Sequence, residues 1–255
     1  MSSSHRRVVV PRGALRPGMS RLVLPPEAAH YATVVLRLGT DAPVILIDGS
    51  GLVATGHLEL GDAEVAAHLD AVTERDEGES PLALELWSAI PKGDRWEWIL
   101  QKATELGATV IQPLHTARGD VRIPPERLPS RLPRWQRVAD EAARQCRRAR
   151  APEVFPPRTL AELAHHAAAP DAIGFAAHST PAAPVLPLAL ALARQPAPPR
   201  AILAVGPEGG FTDAEAAWFA TANFALVSLG PRILRVETAA VLGVGLIQHA
   251  WGDLG

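Results

Sequence analysis

The 255-residue chain is 47% hydrophobic and 20% charged, which excludes wholesale disorder and allows a sizeable core. Its single cysteine, Cys146, excludes an internal disulfide and a cysteine zinc cluster. No apolar run approaches the ~20 residues of a membrane span, and the N-terminal run Val8–Val10 is shorter than the roughly 7–15 apolar residues of a secretory signal. We therefore expect a cytoplasmic protein that does not bind a membrane.

The net charge of −2 conceals an uneven distribution of charge along the chain. Residues 1–37 carry six arginines and one acid, and residues 92–158 carry fourteen lysines or arginines and eight acids. Residues 38–91, in contrast, carry eleven acids and one arginine. Two basic blocks in a nearly neutral protein indicate an anionic partner that binds locally.

The first part of the chain is predicted to be a small β-rich module. A helix is predicted over Pro26–Leu36, with proline at its start. Val44–Ile47 is a buried-strand pattern, Asp48–Gly51 is a turn, and Leu52–Leu60 is the return strand. We place the end of this module near residue 75, because the polar segment 74–81 that follows is typical of a linker.

The rest of the chain alternates strands with helices, which indicates a parallel α/β sheet. A connection rich in alanine and proline, residues 181–200 with six prolines, interrupts the alternation. Strands are predicted at 82–90, 109–112, 172–176, 201–205 and 225–229, and helices at 96–106, 134–148, 186–194, 213–221 and 237–251.

The loop Gly206-Pro-Glu-Gly-Gly210 joins a predicted strand to a predicted helix. Thr212 and Glu215 form a capping-box pattern that marks the helix start. Glycines at a strand end let a ligand approach the backbone, although the loop matches neither the dinucleotide nor the phosphate-loop pattern. A ligand site and a simple tight turn both remain open. Glu208 is correspondingly either a ligand acceptor or a solvated acid.

The loop Leu229–Ala239 repeats this arrangement, with Arg232 and Arg235 on either side of two apolar residues. We expect Glu237 or Thr238 to cap the helix that follows. The two arginines indicate an anion-facing pocket. The alternative is an Arg235–Glu237 ion pair that only steadies the loop.

Two further groups of cations are candidates for anion binding, and each has an alternative explanation. One group, Lys92, Arg95, Lys102, Arg118 and Arg122, is otherwise a solvated face. The other, Arg144, Arg147, Arg148 and Arg150, lies at the end of a predicted helix and suits either its dipole or a phosphate backbone. The histidines lack metal-ligand spacing, so we expect no metal site.

The two glycine loops together resemble the RsmE family of SPOUT-class methyltransferases, which act on 16S ribosomal RNA. The resemblance rests on Gly206-Pro-Glu-Gly-Gly-Phe-Thr-x-x-Glu215 and Leu229-Gly-x-Arg-Ile-Leu-Arg-x-Glu-Thr-Ala239. It extends upstream to Lys92–Arg95, Gln101–Gly107 and Trp135–Arg148, and to His30 and Arg37 near the N-terminus. The chain departs from the family where Thr116-Ala-Arg-Gly119 replaces the usual Thr/Ser-Glu-Arg-Ser.

This resemblance implies a fold, a cofactor and an assembly. Residues 1–75 would form a PUA-like β-barrel, and residues 82–255 a SPOUT methyltransferase domain closed by a deep trefoil knot. The protein would be a homodimer that binds S-adenosylmethionine (SAM) in the knot. The implied cofactor residues are Gly206, Pro207, Glu208, Gly209, Gly210, Leu229, Gly230, Ile233, Leu234, Thr238 and Ala239.

The family's product, N3-methyluridine in the small ribosomal subunit, implies roles for the remaining residues. Arg232 or Arg235 would stabilise the uracil anion, and Glu208 would accept the proton. Another SPOUT enzyme, such as a ribose 2′-O-methyltransferase, and a non-catalytic RNA-binding assembly factor remain alternatives. The RNA-binding residues would be Arg37, Lys92, Arg95, Lys102, Arg118, Arg122, Arg144, Arg147 and Arg148.

Overall fold

The computed structural model describes residues 6–76, 78–167, 171–178 and 185–255. The chain divides into two compact units, the first of which comprises the residues up to Glu79 together with Ala143–Ala151. The second comprises Ser80–Ala142 and Pro152–Gly255. The sequence prediction had assigned 143–151 to the second domain. Residues 1–5 of the predicted barrel and residues 181–184 of the proline-rich connection lie outside the described residues.

The first unit contains a five-stranded mixed sheet in the order β1-β3-β4-β5-β2. Strand β1 runs parallel to β3, and the other neighbours are antiparallel. The core beneath the sheet includes Val8, Leu46 and Leu58, each at most 1% exposed. The strands are β1 (Arg6–Val9), β2 (Arg21–Val23), β3 (Pro43–Ile47), β4 (Leu52–Leu60) and β5 (Val65–Glu74).

The predicted hairpin over 44–60 is confirmed, and its turn is fixed by a buried carboxylate. Asp48 is 2% exposed. Its Oδ1 accepts hydrogen bonds from the backbone and hydroxyl of Ser50 at 3.0 and 2.7 Å. Its Oδ2 accepts from the backbone N–H groups of Gly13 and Leu15 at 3.2 and 3.3 Å. The carboxylate thus holds the turn and an N-terminal loop together, because its burial requires these partners.

The helix predicted from Pro26 has two parts. Helix α1 (Pro26–His30) continues as a π-helical turn, Tyr31–Val35. The wider turn is closed by the bond from Leu36 N to Tyr31 O, at 2.9 Å. Arg37 follows in the left-handed region with φ of 54°. Sequence periodicity does not separate an α-helix from such a short π-helical turn.

The second unit contains a seven-stranded sheet in which every neighbouring pair is parallel, in the order β10-β12-β9-β11-β6-β7-β8. The five predicted strands are confirmed. The two edge strands were not predicted, because two residues each are too few to show a period. The strands are β6 (Ala83–Ala89), β7 (Ala108–Leu114), β8 (Glu153–Val154), β9 (Ala172–Ala177), β10 (Leu186–Pro187), β11 (Arg200–Val205) and β12 (Phe224–Ser228).

The five helices predicted after residue 82 are confirmed, one with a large difference in its start, whereas the four-residue helix α4 (Ala164–Ala167) was not predicted. Helix α3 begins at Leu128 rather than 134, because Pro133 lies inside the helix instead of before it. A proline in this position forfeits the bond to the carbonyl four residues earlier, but it does not end this helix. The helices are α2 (Arg95–Glu105), α3 (Leu128–Cys146), α4 (Ala164–Ala167), α5 (Leu188–Ala193), α6 (Asp213–Thr221) and α7 (Val236–Trp251), with 3₁₀ turns at Pro125–Arg127 and Ala161–Leu163.

The parallel sheet determines where a site can form. Since its strands all run in one direction, their carboxyl ends share one edge, which is where ligands bind in open α/β sheets. The loops after β6, β7, β9, β11 and β12 all begin at that edge. Within the described ranges, no helix is both long enough and apolar enough to span a bilayer.

Candidate active site

A cavity of about 280 Å³ lies at the carboxyl edge of the parallel sheet. Its walls are the two glycine-containing loops, the ends of β9 and β12, and the first turn of α7. The lining residues are Ala177, His178, Val205, Gly206, Pro207, Glu208, Gly209, Gly210, Ser228, Leu229, Gly230, Arg232, Ile233, Leu234, Val236 and Ala239.

The loop after β11 is a tight turn in which a positive φ favours glycine at 210 and a close contact favours it at 206. Gly210 N bonds to Pro207 O at 2.8 Å, with φ of 67° at Gly210. A Cβ on Gly206 would lie 3.2 Å from the backbone nitrogen of Phe211. The predicted capping box is confirmed, because Thr212 and Glu215 hydrogen-bond reciprocally at the start of α6. The turn therefore leads into a well-anchored helix.

The segment after β7 makes hydrogen bonds to this loop and to the helix that follows it. Arg118 donates from Nη1 to the carbonyl of Gly209 at 2.9 Å and to that of Phe211 at 3.3 Å. Glu215 Oε1 accepts from the backbone N–H of Ala117 at 2.7 Å, so Glu215 caps α6 and also ties down the segment. Arg118, predicted only as an RNA contact, is in a position to fix the geometry of the pocket.

The loop after β12 reaches α7 without the predicted cap. The N-cap residue is Arg235, whose side chain has no acceptor, and no side chain caps the helix. The expectation that Glu237 or Thr238 would cap α7 is wrong, because the helix begins at Val236 and places both residues inside its first turn. Glu237 Oε1 instead lies 3.4 Å from Arg95 Nε and 4.0 Å from Arg235 Nη1.

Ten of the eleven residues predicted to hold a cofactor line the pocket, and Thr238 is the exception. Of the predicted catalytic residues, Arg232 and Glu208 line it, whereas the side chain of Arg235 is 71% exposed outside the lining. Sequence reasoning missed His178 and Ser228. The position of each at the end of a strand could have identified it, once β9 and β12 were known to pair side by side.

The chemistry of the lining fits an adenosyl group and an amino-acid tail. Leu229, Leu234, Val236 and Ala239 supply an apolar surface, and the glycines expose backbone donors and acceptors. At Gly210 and Gly230 a Cβ would meet no atom within 4 Å, so both glycines face open space with positive φ. Ile233, 91% exposed, lies in the lining although nothing covers it within the described chain.

The first group of predicted cations is already paired within the second unit. Lys92 Nζ lies 2.6 Å from Asp120, and Lys102 Nζ lies 2.8 Å from Glu105. The hydrogen bond to Asp120 raises the pKa of Lys92. Arg122 donates to the carbonyl of Thr116 at 2.7 Å. Exposed pairs of this kind contribute little to stability, so the same cations can leave their present partners and bind a phosphate.

The cations predicted at the end of α3 are divided in their exposure. Arg144 donates to the hydroxyl of Tyr31 at 2.7 Å, and Arg147 is exposed. Arg148 is 3% exposed and its Nη2 lies 2.8 Å from Glu79, itself 9% exposed. The prediction that Arg148 contacts RNA is therefore wrong for this conformation, because its guanidinium is committed to a buried ion pair. In the part of the chain that is described, no cluster of side chains has metal-binding character.

Known proteins resemble this chain over almost its full length. A family model described as an RNA methyltransferase domain matches residues 78–248. Ribosomal RNA small subunit methyltransferase E from Synechocystis is 35% identical over 245 residues, which cover 96% of this chain and 77% of that protein. The protein of the same name from Bacillus subtilis is 29% identical and 88% of each chain is covered.

Solved structures agree with these sequence matches. Ribosomal RNA small subunit methyltransferase E from Neisseria gonorrhoeae, bound to S-adenosyl methionine, matches with a TM-score of 0.81 and 32% identity, covering 98% of this chain and 100% of that chain. A putative methyltransferase from Legionella pneumophila, in complex with SAM, gives a TM-score of 0.81 and 34% identity, with 98% and 99% covered. The chain belongs to the family of ribosomal RNA small subunit methyltransferase E.

Proposed function

We propose that this protein is a SAM-dependent methyltransferase that methylates N3 of a uridine in 16S ribosomal RNA. The observation that carries the proposal is the pocket that the two glycine loops build at the carboxyl edge of the parallel sheet. Family membership supports it, as do the two similar structures that were solved with SAM bound.

The pocket residues have a binding and orienting role in this reaction. SAM, when bound, supplies an electrophilic methyl group on its sulfonium. The glycine turn over 206–210 offers backbone groups close to the ligand, and Leu229, Leu234 and Ala239 exclude water from its apolar part. Holding the reacting groups in line accounts for a large part of the rate enhancement in such transfers.

The remaining task is to make the uracil N3 nucleophilic. N3 carries an imide proton, and its loss puts negative charge on the two neighbouring carbonyl oxygens. Arg232, in the pocket lining, and Arg235, on the adjacent surface, supply positive charge for this anion. Glu208, on the exposed side of the glycine turn, is the proton acceptor. Since N3 is used in base pairing, the target uridine must be unpaired or flipped out.

The proposal extends to the surface of the protein that binds RNA and to its oligomeric state. The five-stranded mixed sheet of the first unit supports a PUA-like RNA-binding domain, and the parallel α/β sheet of the second supports a SPOUT domain, for which we propose a trefoil knot. The protein is also proposed to be a homodimer and to be located in the cytoplasm, where an enzyme that acts on ribosomal RNA meets its substrate. The residues assigned to RNA contact are Arg37, Lys92, Arg95, Lys102, Arg118, Arg122, Arg144 and Arg147.

The first test is nucleoside mass spectrometry of 16S ribosomal RNA from a strain that lacks the protein, before and after its restoration. Loss and rescue of N3-methyluridine are expected. If a 2′-O-methylated nucleoside disappeared instead, the ribose alternative would replace the proposal. If no methylated nucleoside changed, a non-catalytic role in assembly would be favoured.

The second test concerns the two arginines. Replacing both Arg232 and Arg235 by alanine should slow single-turnover methylation by about 10²-fold or more, as for the loss of groups that stabilise developing charge. SAM affinity, measured by calorimetry, should change much less because the backbone of the loops remains. Unchanged single-turnover rates would remove both arginines from the mechanism.

A further inference from the structure

A second cavity, of about 320 Å³, opens at the same carboxyl edge of the parallel sheet. It lies among the loop after β6, the start of α2, the segment after β7 and the first half of α3. All of its lining residues belong to the second unit: Ile90, Pro91, Gly93, Asp94, Trp96, Glu97, Val121, Ile123, Arg131, Arg134 and Trp135.

The loop after β6 lies between this cavity and the cofactor pocket. Pro91, Gly93 and Asp94 line the second cavity. On the other side, Arg95 contacts Glu237 of α7 at 3.4 Å. The pKa of Lys92, which its hydrogen bond to Asp120 raises, is raised further by the charge of Glu208 in the glycine turn. This loop therefore lines the second cavity, and the residue that follows it pairs with the helix that begins at the cofactor pocket.

Strand order gives the separation of the two sites. The cofactor pocket lies over β12, β9 and β11, whereas the second cavity begins at the end of β6, the next strand, and continues past β7. With strands spaced by ~4.8 Å, a centre at β9 and one between β6 and β7 are roughly 12 Å apart along the sheet. A strand of RNA whose target base enters the first site passes the second within a short stretch of nucleotides.

The walls of the second cavity suit a planar ring. Ile90, Val121 and Ile123 are apolar, and the indoles of Trp96 and Trp135 meet edge to face at 5.6 Å beneath them. The indole N–H of Trp96, a residue only 3% exposed, has no acceptor among the described residues. A buried donor without a partner costs stability unless a ligand or a water molecule accepts from it.

The rim of the cavity carries charge of both signs. Arg134 is paired with Glu97 at 2.6 Å. Arg131 is exposed, and its guanidinium makes no ion pair or hydrogen bond within the described ranges. Asp94 offers a carboxylate that can accept from an amino or imino group. The cavity thus combines an apolar slot, an acceptor and an available cation.

We propose that the second cavity binds an unpaired nucleobase of the RNA substrate, near the target uridine in sequence, and that Arg131 contacts its phosphate. This inference rests on the proposed RNA methylation. Every nucleobase has an apolar face, ring-edge acceptors for an indole N–H, and an adjoining phosphate, so one nucleotide matches all three features of the cavity. The volume is at the lower end of the ~300–1,000 Å³ of small-ligand pockets, which fits one base rather than a duplex.

Two variants test the proposal, one in the apolar part of the cavity and one at its charged rim. Val121→Phe fills the apolar slot, and Arg131→Gln removes the cation from the rim without touching the core. Arg194→Gln is the matched control, because Arg194 is an exposed arginine that follows α5 in the chain. Thermal unfolding and SAM affinity establish that each variant is folded with an intact cofactor pocket.

The measurement is the equilibrium affinity for a synthetic RNA hairpin with a single uridine in its loop. The same hairpin is made with abasic replacements, one at a time, on each side of the uridine. We expect Val121→Phe and Arg131→Gln to weaken binding of the intact hairpin by about tenfold, the typical loss for one good contact. The control should bind like the wild type.

One abasic position should abolish the effect of Val121→Phe, because the base that fills the cavity is then absent. The proposal is overturned if both variants bind the intact hairpin like the wild type, or if every abasic hairpin shows the same loss from Val121→Phe as the intact one. Failure of the proposed function is visible separately, as an absence of methylated nucleoside with the wild-type enzyme. The binding comparison is informative in either case.

Discussion

Arg118 allows the sharpest test of how the cofactor pocket is held. Its guanidinium donates to the carbonyls of Gly209 and Phe211, on either side of the last glycine of the turn. Each such bond is worth about 0.5–1.5 kcal/mol, and because Arg118 is exposed we reduce the sum to about 1–2 kcal/mol. If this energy keeps the turn in its binding conformation, Arg118→Gln should weaken SAM binding by about 5–30-fold.

Calorimetric titration with SAM checks this prediction without any RNA. Arg122→Gln is the matched control, since Arg122 donates to Thr116 in the same segment but makes no bond to the glycine turn. Its SAM affinity should equal that of the wild type. Both bonds come from Nη1, and the lysine side chain ends one bond short of that atom, so Arg118→Lys retains the charge but should also weaken SAM binding. Equal SAM affinity in wild type and Arg118→Gln would refute the reasoning.

Three further predictions follow from burial and close contact. Arg148→Met leaves Glu79 buried without its cationic partner, with only the backbone N–H of Arg150 still donating to it, and should lower the free energy of unfolding by about 3–5 kcal/mol. A change below about 1 kcal/mol in urea unfolding would contradict the importance of the buried pair. Gly206→Ala forces the glycine turn to shift and should weaken SAM binding. Gly245→Ala is the control, because its Cβ would meet no atom within 4 Å, and its SAM affinity should not change. Equal SAM affinities of the two variants would show that the turn tolerates a methyl group. Burial, together with the charge of the nearby Arg122, lowers the pKa of His115 below the usual 6.5 of a histidine. The unfolded chain therefore takes up the proton first, so stability is complete above about pH 6.5 and should fall as the pH drops below that value. His115→Gln should reduce this loss between pH 7.5 and 5.5, and an unchanged pH dependence would exclude His115 as a source.

The local pattern of the chain predicted most of the elements, and the family resemblance of the two glycine loops predicted the composition of the site. Alternation of apolar runs with amphipathic segments predicted the five central strands and the major helices. Helix α6 matches its predicted bounds, because the capping box of Thr212 and Glu215 is a local signal. Ten of the eleven residues predicted for the cofactor line one cavity, since both glycine loops leave parallel strands at the same edge.

The sequence pattern could not reveal contacts that depend on which strands become neighbours. His178 reaches the pocket only because β9 lies between β11 and β12. Arg118 braces the glycine turn from a segment 91 residues earlier in the chain. Arg148 belongs to a run of arginines that are alike in sequence, yet it alone in the predicted RNA-binding set is buried, against Glu79.

The difference between what the sequence predicted and what it could not predict has a physical reason. Backbone sterics and side-chain period act over a few residues, so the sequence alone determined where strands, helices and glycine turns occur. Burial and hydrogen bonding are decided by pairing across long separations, where many arrangements satisfy the same local pattern. Only the tertiary structure therefore decided which of several equivalent cations faces solvent, which braces the pocket, and which is paired inside the fold.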